Sequence, residues 1–152
     1  MGSRLALCRP LRARHPILLG AREAENLDCR TSHATGVFIR LDHLTHNMRL
    51  LQELVGNRPL WPAIKANAYG HGAEIVGRHL VRLGYNRLCV AHVSEAITLI
   101  EADVGATFLV LSASLPENSE YFVAYDCEPV VCTLEMVEAL ARAAVRAGKQ
   151  VA

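Results

Sequence analysis

A chain of 152 residues is long enough for one domain with one core, and 51% hydrophobic against 20% charged residues is a globular balance. A formal net charge of +1 gives no expectation of a nucleic-acid or anionic-membrane surface, and no apolar stretch approaches the roughly 18 residues of a membrane span. Five cysteines (Cys8, Cys29, Cys89, Cys127, Cys132) form no Cys-x-x-Cys pair, which argues against a disulfide scaffold or a metal site.

Residues 1–35 carry Arg4, Arg9, Arg12, Arg14 and Arg22 with no acid before Glu23. The apolar piece Ile17-Leu18-Leu19 is too short for a signal-peptide core. An organelle transit peptide and a disordered basic extension are the two remaining readings, and the extension is the expectation. Residues 36–152 read as the folded part. There Val37-Phe38-Ile39 reads as a strand. Asp42 is placed to cap a helix whose Leu44, Met48, Leu51, Leu54 and Val55 share a face, with Gly56 ending it. Leu60-Trp61-Pro62-Ala63-Ile64 reads as a buried strand, followed by Lys65, a glycine-bounded loop to Gly72, and a helix from Ala73 to Leu83.

The alternation continues. Leu88–Ala91 is a strand, and Ser94 is expected to cap a helix running to about Ala102. Thr107–Leu111 is the next strand and Pro116–Ala124 the next helix. Pro129–Cys132 is a strand, Thr133 caps a long helix ending at Gly148, and Gln150-Val151-Ala152 begins another strand. Strands this apolar suit parallel pairing with both faces covered. Cys89, Cys127 and Cys132, in or beside these runs, read as small buried hydrophobes in a reducing, cytoplasmic protein.

Repeated strand–helix units admit two α/β architectures: a doubly wound open sheet, or the amino-terminal half of a (β/α)8 barrel. A whole barrel needs roughly 250 residues, so the barrel reading makes this chain a fragment of a longer protein. In either case Lys65 stands at the carboxyl end of a strand, where such folds build their sites. Partial desolvation there favours the neutral, nucleophilic amine.

The block Lys65-Ala66-Asn67-Ala68-Tyr69-Gly70-His71-Gly72 resembles the pyridoxal-phosphate attachment signature of alanine racemases. Ile39–Arg49 is similar to that family's opening strand and helix. Val90-Ala91 with Ser94-Glu95-Ala96 and Leu99 resembles its second unit, and Phe108–Leu111 its third strand. One departure is Leu99-Ile100, where the family usually has Leu-Arg.

The resemblance implies a partial (β/α)8 TIM barrel of parallel strands alternating with helices. It further implies pyridoxal 5'-phosphate as cofactor, alanine as substrate, D-alanine supply for peptidoglycan, and a homodimer. By position, Lys65 would hold the cofactor and act as base on one face of the substrate. Tyr69 would meet the cofactor phosphate, and Leu111 would lie near its ring. Amides near Gly72 and Ala73, at a helix start, could also favour an anion. The opposite base, and the arginine facing the pyridine nitrogen, belong to later segments than Ala152, so these 152 residues alone are expected to be inactive.

The alternatives are a broad-specificity racemase, another enzyme of the same fold, and a non-enzymatic pyridoxal-binding protein. Blander readings attach to several other residues. His71 orients the loop, His79 is a satisfied core histidine, and Glu95 complements the dipole of the helix that Ser94 caps.

Overall fold

A computed structural model describes residues 37–150. The basic extension read over 1–35 and the last two residues of the expected final strand lie outside the described residues.

Three parallel strands form a sheet in the order β1 (Arg87–Val90), β2 (Thr107–Val110), β3 (Glu128–Pro129). Ala63 adds a parallel bridge to Cys89 on the free side of β1. The strands therefore stand side by side in chain order, each separated from the next by a helix. A doubly wound sheet reverses its order at a switch point, whereas a barrel keeps sequential order. The fold is α/β, a partial (β/α)8 barrel.

The helices are α1 (Leu41–Val55), α2 (Lys65–Tyr69), α3 (Ala73–Arg82), α4 (Val93–Glu101), α5 (Ser119–Ala124) and α6 (Leu134–Ala147). A 3-10 turn, Pro116–Asn118, leads into α5. The core lies between sheet and helices. Leu88, Val90, Phe108 and Val110 from the strands meet Leu80 of α3, Phe122 of α5 and Met136 of α6, all almost wholly buried. Gly77 lets α3 approach closely, because a Cβ there would sit 2.9 Å from Val104 Cγ1. At the sheet's polar margin, Arg87 stacks 4.7 Å from the Trp61 ring centroid and pairs with Glu128 at 2.8 Å, joining three segments.

Several local expectations need correction. Residues 37–40 form no strand, since no described segment offers them a ladder. The strand expected over Leu60–Ile64 shrinks to one bridging residue. Pro62 has no N–H, so the ladder is limited to Cys89 N–H to Pro62 O and Ile64 N–H to Cys89 O, each 2.8 Å. Strand β3 is likewise short: it lies at Glu128–Pro129 with one further bond from Val130 N–H to Val110 O.

Helix α1 begins at Leu41 after Arg40, and Asp42 pairs with the Arg40 guanidinium at 2.6 Å instead of capping. Helix α4 begins at Val93 after His92, so Ser94 is not its cap. Of the apolar α1 face, Met48 is buried while Leu51 and Leu54 are exposed. Cys89 and Cys127 are buried, but Cys132 is exposed. Helix α6 follows its sequence signals closely: Thr133 Oγ1 accepts from Met136 N–H, and Gly148 ends the helix in the left-handed conformation.

Candidate functional site

The carboxyl ends of the parallel strands gather at Lys65, Ala91, Leu111 and Val130. Lys65 follows Ile64, whose N–H is bonded to Cys89 O, and Leu111 N–H donates to Val90 O at 2.9 Å. Lys65 is half-buried, Leu111 is 40% exposed, and Tyr69 is 60% exposed.

The loop expected after Lys65 is instead a left-handed turn. Ala66, Asn67 and Ala68 have φ/ψ near 50°/50°, 55°/46° and 53°/47°, and Tyr69 has φ 53°. Each such non-glycine residue costs roughly 1–2 kcal/mol. Consecutive ones persist only where the surroundings over-determine them, and such strain clusters at functional sites. Five backbone bonds close the turn: Ala68 N–H to Ile64 O (2.8 Å), Gly70 N–H to both Ala66 O and Asn67 O (3.1 Å each), His71 N–H to Ala68 O (3.0 Å) and Gly72 N–H to Asn67 O (3.0 Å). His71 Nδ1 also donates to Ala68 O at 2.9 Å, so His71 orients the loop.

Two side chains tie the turn to its neighbours. Asn67 Oδ1 accepts from Ala73 N–H at 2.8 Å and so starts α3. The amides of Gly72 and Ala73 are thereby both committed, to Asn67 O and Asn67 Oδ1, which overturns the expectation that they favour an anion. Glu95 makes the other tie. Its Oε1 accepts from Ala66 N–H at 2.8 Å, and its Oε2 accepts from Ala91 N–H at 2.7 Å and His92 N–H at 3.3 Å.

Burial is the largest influence on the Glu95 carboxyl and pushes its pKa up. The three backbone N–H groups and His92 outweigh it and hold the group below its ordinary value. The ionised form thus adds stability above the ordinary carboxylate range, and that contribution is lost as the pH falls through the lowered pKa.

The loop expected from the sequence after Lys65 carries no sign of the handedness of the turn or of its two anchors. The available signal was weak: asparagine tolerates the left-handed region and glycines bound the block. Glu95 had only the look of a first-turn acid, because its partner Ala66 is 29 positions away. His79, half-buried, meets Thr45 Oγ1 through Nε2 at 2.7 Å, which satisfies it structurally. Burial raises the pKa of the Cys127 thiol to about 11 and also raises that of Cys89, so neither is a poised nucleophile.

Comparison with known proteins agrees with this arrangement. Residues 39–152 match the family model described as alanine racemase, N-terminal domain. An alanine racemase of Sorangium cellulosum is 40% identical over 109 residues, covering 68% of this chain and 29% of that protein. One from Carboxydothermus hydrogenoformans is 38% identical over 93 residues, covering 61% of this chain and 25% of the relative. The structure of a Clostridium difficile alanine racemase in complex with cycloserine superposes with a TM-score of 0.70 at 25% identity, covering 76% of this chain and 33% of that one. A histidine racemase from Leuconostoc mesenteroides shares the fold, with a TM-score of 0.67 at 22% identity. The chain spans about a quarter to a third of the length of these relatives.

Proposed function

This chain belongs to the alanine racemase family, and from that membership we propose that it is the lysine-bearing part of a pyridoxal 5'-phosphate-dependent racemase interconverting L-alanine and D-alanine. One observation carries the proposal. Lys65 is half-buried at the carboxyl end of a parallel sheet and leads directly into a turn held in a strained, left-handed conformation. The donor set suits the cofactor: a primary amine for its aldehyde, and the Tyr69 hydroxyl, on an exposed ring, for its phosphate. When bound, pyridoxal phosphate supplies an electron sink for negative charge at the substrate Cα.

The chain's own residues do the rest. Lys65 would hold the cofactor through its amine and would move the proton on one face of Cα. Its tether at the reacting centre replaces a bimolecular encounter. Tyr69 holds the phosphate end, and Leu111 offers apolar surface at the end of β2. A base for the opposite face would come from outside these residues, from the second subunit of a homodimer, so the 152 residues alone are expected to be inactive. The product D-alanine would serve peptidoglycan synthesis. The free thiols of Cys89 and Cys127 suit a reducing, cytoplasmic setting.

The test is borohydride trapping with pyridoxal phosphate followed by peptide mapping of the intact polypeptide. Within these 152 residues the sequence supplies an internal control, because Lys149 is the one lysine besides Lys65. Lys149 Nζ is engaged by Val123 O at 2.9 Å and Asp126 Oδ1 at 3.1 Å. An adduct at Lys65 and not at Lys149 is expected. Equal labelling of both, or labelling of Lys149 alone, refutes the assignment.

A further inference from the structure

We propose that Glu95 is the positioning residue for Lys65: by bridging Ala66 N–H to Ala91 N–H and His92 N–H, its carboxylate locks the left-handed turn to the end of β1. The first N–H groups of a helical turn of either hand have no partner within it. Ala66 N–H is one of these, and it is met by a side chain from another strand–helix unit. That N–H lies in the same rigid peptide plane as the Lys65 carbonyl and the Lys65 Cα. Holding the plane therefore holds the ψ of Lys65 and the direction in which its side chain departs.

The geometry goes beyond complementing a helix dipole. For that, Oε2 on the two α4-side amides would suffice, and Oε1 would face solvent. Instead the carboxylate divides its oxygens between two segments that the backbone ladder joins only through Pro62, Ile64 and Cys89. The ladder fixes the chain up to Ile64, and Asn67 fixes it again at Ala73. Between those points, the bond from Ala66 N–H to Glu95 is the lateral tie nearest Lys65. A carboxylate is suited to this task, since it accepts at both oxygens and its bonds to N–H groups are charge-assisted.

The inference rests on the reading of Lys65 as the cofactor lysine, but its test separates the two. Glu95→Gln and Glu95→Ala are compared with the parent in the intact polypeptide, first by amide hydrogen exchange without cofactor. Glu95→Ala should speed exchange of the amides from Ala66 to Gly72 by about tenfold or more, with the α6 amides unchanged. Glu95→Gln keeps one acceptor oxygen and should fall between Ala and Glu. Equal exchange across the turn in all three proteins would falsify the inference, as would a uniform rise that includes α6, which marks a role in global stability only.

The second readout is the rate of borohydride-fixed pyridoxal phosphate labelling at Lys65, relative to Lys149. It should fall about tenfold in Glu95→Ala and recover partly in Glu95→Gln. Unchanged relative labelling, with a loosened turn, overturns the link to Lys65. If the parent itself takes no label at Lys65, the cofactor reading fails, and the exchange data alone decide whether Glu95 holds the turn.

Discussion

The turn at Lys65–Tyr69 and helix α6 at Leu134–Ala147 are built on opposite principles. Helix α6 obeys every local rule. Threonine caps it, Met136, Ala139, Leu140 and Ala143 share its buried face, and a left-handed glycine ends it. Nothing distant is needed to explain its shape. The lysine turn breaks the first local rule for L-residues by placing two alanines, an asparagine and a tyrosine at positive φ. Its shape is tied to groups outside itself: Glu95 accepts from Ala66 N–H, and Ala73 N–H donates to Asn67 Oδ1. A chain that accepts four consecutive left-handed residues in one short segment, beside conventional helices, has put that segment under a different demand.

Substitutions can break or sharpen this contrast. The largest expected effect is on chemistry alone. Lys65→Ala should eliminate the trapped adduct and lower racemisation of alanine at least about a thousandfold, while leaving the unfolding midpoint in place. Retained activity in that variant would remove Lys65 from its role. The largest effect on stability should come from the conventional region. Phe122, 1% exposed where α5 packs under α6, should cost about 3–5 kcal/mol on truncation to alanine, read from denaturant unfolding. A loss below about 1 kcal/mol would mean that α5 and α6 contribute far less to the core than their packing indicates.

Tyr69→Phe removes one hydroxyl and should weaken cofactor retention about tenfold, the scale of a single hydrogen bond, with stability unchanged. Unaltered retention on dialysis would count against its phosphate role. The smallest effect is the most diagnostic, because it reverses sign between the two regions. Ala141→Gly, on the exposed side of α6, should destabilise by about 0.5–1 kcal/mol. Ala66→Gly removes a Cβ from a left-handed position, which gains about 1–2 kcal/mol, against about 0.4–1 kcal/mol lost to a freer unfolded chain. It should be neutral or stabilising. If both glycines destabilise alike, the left-handed turn does not exist in solution.

The order of strands and helices was legible in the sequence, because apolar runs, capping residues and glycines are local and repeat. The limits of that legibility are visible at particular residues. Pro62 sits inside an apolar run that reads as a strand, yet it lacks the donor the ladder needs there, so only a single bridge forms. Ser94 resembles a cap, but the Glu95 carboxylate gathers the amides of Ala91 and His92 and starts α4 earlier. Leu51 and Leu54 carry the right period on α1 without finding a partner among the described residues.

By itself the sequence determined the α/β alternation, the position of Lys65 at a strand end, the cap and stop of α6, and the block that marks the family. Those properties depend on neighbours within a turn or two of helix. The tertiary structure decided the sequential strand order, the hand of the lysine turn, and the identity of the side chain that holds it. The reason is one of distance. A strained backbone is stable only when groups remote in sequence are brought to it, and Glu95 reaches Ala66 only after β1 has been laid beside the segment that carries Lys65.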